Sequence, residues 1–262
     1  MKLEIIKEEA VSDVHPTPIL FVHGMWHAAW CWAEHFLPYF TGHGYVSHAL
    51  SLRGHGGSEG RERLRWMSLA DYVSDVKQVV SQMERRPVLV GHSMGGMIVQ
   101  KYLASNGAPA AVLLASAPPK GVVPATLRIA LRHPLAFMKA NLTLSMFPVV
   151  NTPKLAQETF FSADMPEGKV RSYSSRLQDE SYRACLDMMG LSLPRPKEVK
   201  TRLLVLGAAD DRLISPGEVE ATARAYGMRA EFFPNMAHDM MLEDGWRAVA
   251  DRILGWLNEQ DL

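Results

Sequence analysis

Cysteine is almost missing from this chain: Cys31 and Cys185 are the only two among 262 residues. Two are too few for a disulfide framework and too far apart for a zinc site. No basic tract stands out, and 28 Lys and Arg balance 28 Asp and Glu, so the electrostatic footprint of a nucleic-acid binder is lacking. No stretch approaches the ~20 apolar residues of a membrane span. Met1 to Ala10 holds Glu4, Glu8 and Glu9 and no apolar core of signal-peptide length. Internal repeats and low-complexity segments are also lacking. These absences predict a soluble, cytoplasmic protein with no membrane span and no nucleic-acid partner. Composition does not address its oligomeric state.

What is present is a chain with an ordinary apolar fraction of 47%, enough for a proper core. Short apolar runs alternate with helical patterns. Lys2 to Glu8 reads as an edge strand, Ile19 to Val22 as a buried strand, and Tyr45 to Leu52 as another. Val88 to Val90, Ala110 to Ala115, Thr201 to Leu206 and Arg229 to Phe233 complete the strands. Helical spacing places Trp30 to Phe40 on one helix ended by Gly42 and Gly44. A second runs through Tyr72, Val76, Val79 and Met83 after an N-cap at Ser68. Further helices are predicted over Pro216 to Tyr226 and Trp246 to Leu257. This alternation predicts an α/β fold with a mostly parallel central sheet flanked by helices. From Pro118 to Pro196 the rhythm stops, and short helical patterns are cut by six prolines at 124, 134, 148, 153, 166 and 194. About eighty residues is too long for a loop in a compact domain, so 118–196 reads as an inserted helical cap on a core of 1–117 and 197–262.

The most informative stretch is Pro87 to Gly96, Pro-Val-Leu-Val-Gly-His-Ser-Met-Gly-Gly. A buried strand runs into Gly91-x-Ser93-x-Gly95, and Met97, Ile98, Val99, Tyr102 and Leu103 follow at helical spacing. Strand, glycine-flanked serine and helix together fit a nucleophile elbow, a turn that lifts the serine hydroxyl above the sheet. Three other stretches bear on Ser93. Leu206 to Pro216 ends a strand in Asp210 and Asp211, where functional groups gather in open α/β sheets. His238 sits between the last strand and the last helix, so Ser93, Asp and His238 occur in α/β-hydrolase order, with Asp210 and Asp211 both candidates for the acid. Phe21 to Trp26 ends the strand expected beside the elbow. Its Met25 N–H, with the Met94 N–H, would form an oxyanion hole.

These motifs resemble the α/β-hydrolase superfamily. The resemblance rests on Gly91-His92-Ser93-Met94-Gly95-Gly96, on Leu52-Arg53-Gly54-His55-Gly56-Gly57-Ser58, and on Asp211 with Pro216. His23 to Trp32 and His238 to Leu242 are similar to the methylesterase and hydroxynitrile lyase branch, and the Arg-Gly-His-Gly turn to monoacylglycerol lipases. The lyases of that branch have Thr where this chain has Gly24 and Lys where it has Asp239, which favours ester hydrolysis. Ser93 at the elbow separates the chain from epoxide hydrolases and haloalkane dehalogenases, which have Asp there. The resemblance implies a catalytic triad of Ser93, Asp211 and His238, with Asp211 preferred for its following Arg-x-Ile-x-Pro.

The implied activity is a carboxylic ester hydrolase acting on a small-molecule ester, without metal or organic cofactor. Thioesters, lactones and peroxide could be handled by the same triad, and a low-turnover receptor-like relative is the alternative of another class. His92, His23 and His55 read as packing or loop-fixing residues, and Trp30 and Trp32 as helix packing. Asp71 and Asp75 read as a solvated helix face. Fifteen Met, several near these motifs, suggest an apolar, deformable pocket, with Trp26, Met146, Met188 and Met240 as candidates for its wall.

Overall fold

The computed structural model describes residues 1–10 and 15–262. Its centre is a seven-stranded sheet in the order β1-β3-β2-β4-β5-β6-β7. The strands are β1 (Ile5–Glu8), β2 (His15–Val22), β3 (Tyr45–Leu50), β4 (Val88–His92), β5 (Ala111–Leu114), β6 (Leu203–Ala208) and β7 (Ala230–Phe233). Only β1 is antiparallel, and it lies at an edge against β3. The four middle strands β2, β4, β5 and β6 end in residues with almost no exposure, as expected for strands covered on both faces.

The first helical pattern divides. It forms α1 (Trp30–Ala33) and α2 (Phe36–Gly42) because Pro38 cannot donate a backbone hydrogen bond and is accepted only in a first helical turn. Restarting at Phe36 puts Pro38 there. The next helix, α3 (Leu69–Gln82), begins at Ser68 in a reciprocal capping box with Asp71. Helix α4 (Met94–Leu103) follows β4 directly.

Between β5 and β6 there are only helices: α5 (Val123–Arg132), α6 (Pro134–Thr143), α7 (Pro153–Phe160), α8 (Glu167–Ser174) and α9 (Tyr182–Leu186), with short 3-10 and π turns. Four prolines that cut the helical patterns open turns instead: Pro124, Pro134, Pro148 and Pro153 each sit in the first turn of a helical segment. After β6 come α10 (Pro216–Ala225) and α11 (Trp246–Glu259). None of the described helices is long and apolar enough to cross a membrane.

One expectation is corrected here. Asp75 is fully buried, not on a solvated face. It accepts from the Arg53 guanidinium at 2.8 and 2.6 Å and from the Arg53 backbone N–H at 2.9 Å. Asp71, one turn earlier, accepts from the same guanidinium at 2.9 Å. Spacing of four along α3 makes the two carboxylates a clamp for Arg53, so this face of α3 anchors the Arg-Gly-His-Gly turn.

Candidate active site

The elbow is set by what glycine lacks. A Cβ on Gly91 would lie 2.6 Å from the Gly95 carbonyl oxygen, and one on Gly95 would lie 2.3 Å from that of Val22. The strand β4, the helix α4 and the end of β2 can therefore converge only around glycine. Ser93, between them, has φ 53° and ψ −118°, a conformation costing about 1–3 kcal/mol for a non-glycine residue. It is imposed by the turn and retained at a residue that lines a cleft.

His238 lies in the loop after β7, and its Nδ1 is 2.7 Å from Asp211 Oδ2. The other Asp211 oxygen, Oδ1, accepts from the backbone N–H groups of Leu213 and Ile214 at 2.8 and 2.9 Å. That leaves Asp211 acceptor-only and fixed, while its neighbour Asp210 is exposed. Because a carboxylate faces Nδ1, the proton is on Nδ1 and the lone pair on Nε2. His238 Nε2 is buried and bonded to no other described residue. Burial by itself would lower the His238 pKa, but the Asp211 carboxylate more than offsets it and the pKa is raised.

The loop after β2 approaches from the other side. A Cβ on Gly24 would lie 2.9 Å from the Ser93 Cβ, so this backbone touches the serine. Among the described residues, the backbone N–H groups of Met25 and Met94 donate to no other group. Trp26 holds φ 65°. It is fastened to the inserted helices at both ends, its Nε1 donating to the Met146 carbonyl at 3.1 Å and its carbonyl accepting from the Gln178 N–H at 3.0 Å. Met25, Trp26, Ser93, Met94, Met146 and Met188 all line one apolar cleft. Met240 is fully buried away from that wall, and Met138 lies on the outer surface.

Behind His238 is a group that sequence reasoning did not assemble. The Asp239 carboxylate is completely buried, with Oδ2 3.0 Å from His27 Nε2 and Oδ1 3.8 Å from His92 Nε2. His27 Nδ1 is 2.7 Å from the Met25 carbonyl, which can only accept, so that nitrogen carries hydrogen. Burial would raise the Asp239 pKa, but the His27 and His92 rings bring it below the ordinary value. His92 donates from Nε2 to the His238 carbonyl at 2.9 Å, and burial, then its His238 neighbour, pushes its pKa down to about 3. His92 is therefore neutral. One signal pointed here: Asp239 follows His238 directly, in a position noted only as a departure from the lyases.

His92, His238 and Asp239 could offer three ligand atoms within 4.8 Å of one another, a combination unique among the described residues. The His92 Nε2 and His238 Nδ1 atoms are hydrogen-bonded to protein, while His92 Nδ1, His238 Nε2 and the two Asp239 oxygens have no hydrogen-bond partner among the described residues. His23 also serves structure, Nδ1 donating to the Gly24 carbonyl at 2.8 Å and Nε2 accepting from the Leu52 N–H at 3.1 Å. Its pKa is lowered well below the usual value by burial.

Similarity to known proteins agrees with this architecture. A non-heme chloroperoxidase of Burkholderia pyrrocinia is 35% identical over 112 residues, 39% of this chain and 38% of that protein, so the match spans well under half of either. A monoacylglycerol lipase of Mycolicibacterium smegmatis is 26% identical over 245 residues, 86% of this chain and 82% of that protein. Among solved structures, the esterase EaEST of Exiguobacterium antarcticum superposes with a TM-score of 0.75 at 18% identity, covering 98% of this chain and 95% of its own. At that identity the likeness speaks for the fold alone. The alpha/beta hydrolase family matches residues 19–252, nearly the whole chain, and with the sheet order and elbow in place this protein belongs to the alpha/beta hydrolase family.

Proposed function

We propose that this protein is a carboxylic ester hydrolase working through an acyl-enzyme on Ser93, with His238 as base and Asp211 as its orienting acid. The observation that carries the reading is the tautomer: Asp211 fixes the Nδ1 proton of His238 at 2.7 Å, leaving a buried Nε2 lone pair with no partner among the described residues. That lone pair accepts the Ser93 hydroxyl proton as Oγ bonds to the ester carbonyl carbon. The carbonyl π electrons move onto oxygen, which accepts from the Met25 and Met94 N–H groups, free of other acceptors among the described residues. One such donor is worth roughly 10²–10³ in rate. The C–O bond to the alcohol then breaks, the alcohol oxygen taking the proton from His238. Water, deprotonated by the same nitrogen, attacks the acyl carbon, and Ser93 departs with the proton.

The cleft wall is thioether, aliphatic and aromatic, which supports an apolar acyl or alcohol part. The segment 118–196 acts as the cap that shapes it. A panel of p-nitrophenyl esters of increasing chain length, with a lactone and a thioester alongside, tests both points. kcat/KM is expected to rise from acetate to medium chains. Preference for acetate would remove the apolar assignment, and turnover of the thioester or lactone alone would replace the substrate class.

The similarity to a chloroperoxidase supports a second reaction at the same site. Hydrogen peroxide in place of water would attack the acyl carbon and release a peracid. Peracid formation in the presence of acetate and peroxide, lost in Ser93→Ala, is its test.

A further inference from the structure

Helices α5 and α6 have two unlike faces. Ala125, Ile129 and Phe137 line the cleft. On the outside, Leu127, Leu131, Leu135, Met138 and Leu142 recur every three or four residues and are exposed, with Leu131, Leu135 and Leu142 at 75%, 76% and 78%. The break at Pro134 does not interrupt the row. Scattered exposed leucines need no explanation, but a regularly spaced row of exposed apolar residues along two consecutive helices marks a surface meant to be covered.

The charges that α5 and α6 themselves carry have one sign. No Asp or Glu occurs anywhere between Glu84 and Glu158. Of the cations on and beside the two helices, Arg128 pairs with Glu218 and His133 with Glu158. Lys120, Arg132 and Lys139 are exposed, and each is without a carboxylate partner among the described residues. An apolar stripe with flanking unpaired cations, on helices that carry no acidic residue of their own, has the features of a helix that lies in the plane of a bilayer interface. A second copy of the chain suits the stripe less well. A two-fold contact through it would set Arg132 and Lys139 against the same cations of its partner, whereas anionic headgroups neutralise them.

We propose that the outer face of α5 and α6 docks on an anionic lipid surface, without any helix crossing it. The proposal is independent of the chemistry at Ser93. Its test is cosedimentation of the full chain with vesicles of equal phosphatidylglycerol and phosphatidylcholine, and with phosphatidylcholine alone. Binding is expected on the anionic vesicles and is reduced by salt. Arg132→Gln and Lys139→Gln should each weaken it ~5-fold, and Leu131→Glu with Leu135→Glu by about tenfold or more, with thermal unfolding unchanged in all of them. Absence of binding to either vesicle, or undiminished binding by the Leu→Glu double variant, would overturn it. So would a dimer in light scattering that the same double variant dissolves, which would make the face a contact between copies.

Discussion

Asp210 and Asp211 differ by one position and by everything that matters to a base. Asp211 is buried, holds two backbone N–H groups on one oxygen and His238 on the other, while Asp210 faces solvent. Asp211→Asn should therefore lower kcat by about 10⁴-fold, since an amide cannot fix the same tautomer, and Asp210→Asn should change it little. Steady-state kinetics of the pair decides this, and the reverse ranking would move the acid.

The pH profile follows from the same contact. A base must be neutral to accept a proton, and Asp211 raises the His238 pKa. Activity is then expected above that pKa and lost as pH falls through it, with kcat/KM titrating above the ordinary histidine value of ~6.5. Asp239 adds to the raising effect, so Asp239→Asn should move the midpoint downward with a smaller loss of kcat than Asp211→Asn. An unmoved midpoint would mean that Asp239 only packs.

At this scale chain order pointed to the candidates Ser93, Asp211 and His238 and hid the contacts that only space encodes. Ser93, Asp211 and His238 follow known strand ends. The His27–Asp239–His92 group joins two loops and the end of β4, and no spacing announces it. Met240 illustrates the opposite failure: adjacency to His238 suggested the cleft, but the backbone turns its side chain into the core.

At the scale of elements, the elbow is the part most fully written in residue types. Val88 to Val90 demand burial, and the glycines allow three backbones to meet. Gly95→Ala would drive a methyl to 2.3 Å from the Val22 carbonyl oxygen. Forcing β2 and α4 apart there is expected to destabilise the fold by at least ~1–3 kcal/mol, in the range of overpacked cores, and to abolish activity. A variant as stable and as active as the parent in denaturant titration and ester assay would contradict the close approach. Helix α3 was legible through Ser68 and its apolar face, yet its polar face was misread. Local periodicity cannot show that Arg53, from a turn before the helix, reaches Asp75 and removes it from water.

Across the whole molecule, the helical segment after β5 is fastened to the sheet by a second buried charged group. His55 Nδ1 donates to the Arg53 carbonyl at 3.0 Å, and its Nε2 lies 3.0 Å from Glu180 Oε2. The Tyr72 hydroxyl and the Ser181 N–H satisfy Oε1 at 2.8 and 2.6 Å. The Gln178 side chain holds the Gly54 carbonyl and Gly56 N–H of the same turn, and the Gln178 backbone holds Trp26. The Arg-Gly-His-Gly-Gly turn thus serves as the anchor through which the inserted helices are set over Ser93. Stranding the Glu180 carboxylate by His55→Ala should cost about 3–5 kcal/mol, a fall of roughly 6–20 °C in Tm. Adding Glu180→Gln should recover part of the loss, because a carboxamide needs no countercharge. Strictly additive losses would show that the pair does not interact.

The proposed mechanism turns on one atom, the Ser93 oxygen. The most direct test is to treat the protein with a fluorophosphonate, digest it and locate the adduct by mass spectrometry. One equivalent is expected on Ser93, with no labelling and no ester turnover in a folded Ser93→Ala variant. An adduct on another residue, or appreciable turnover by Ser93→Ala, would contradict it.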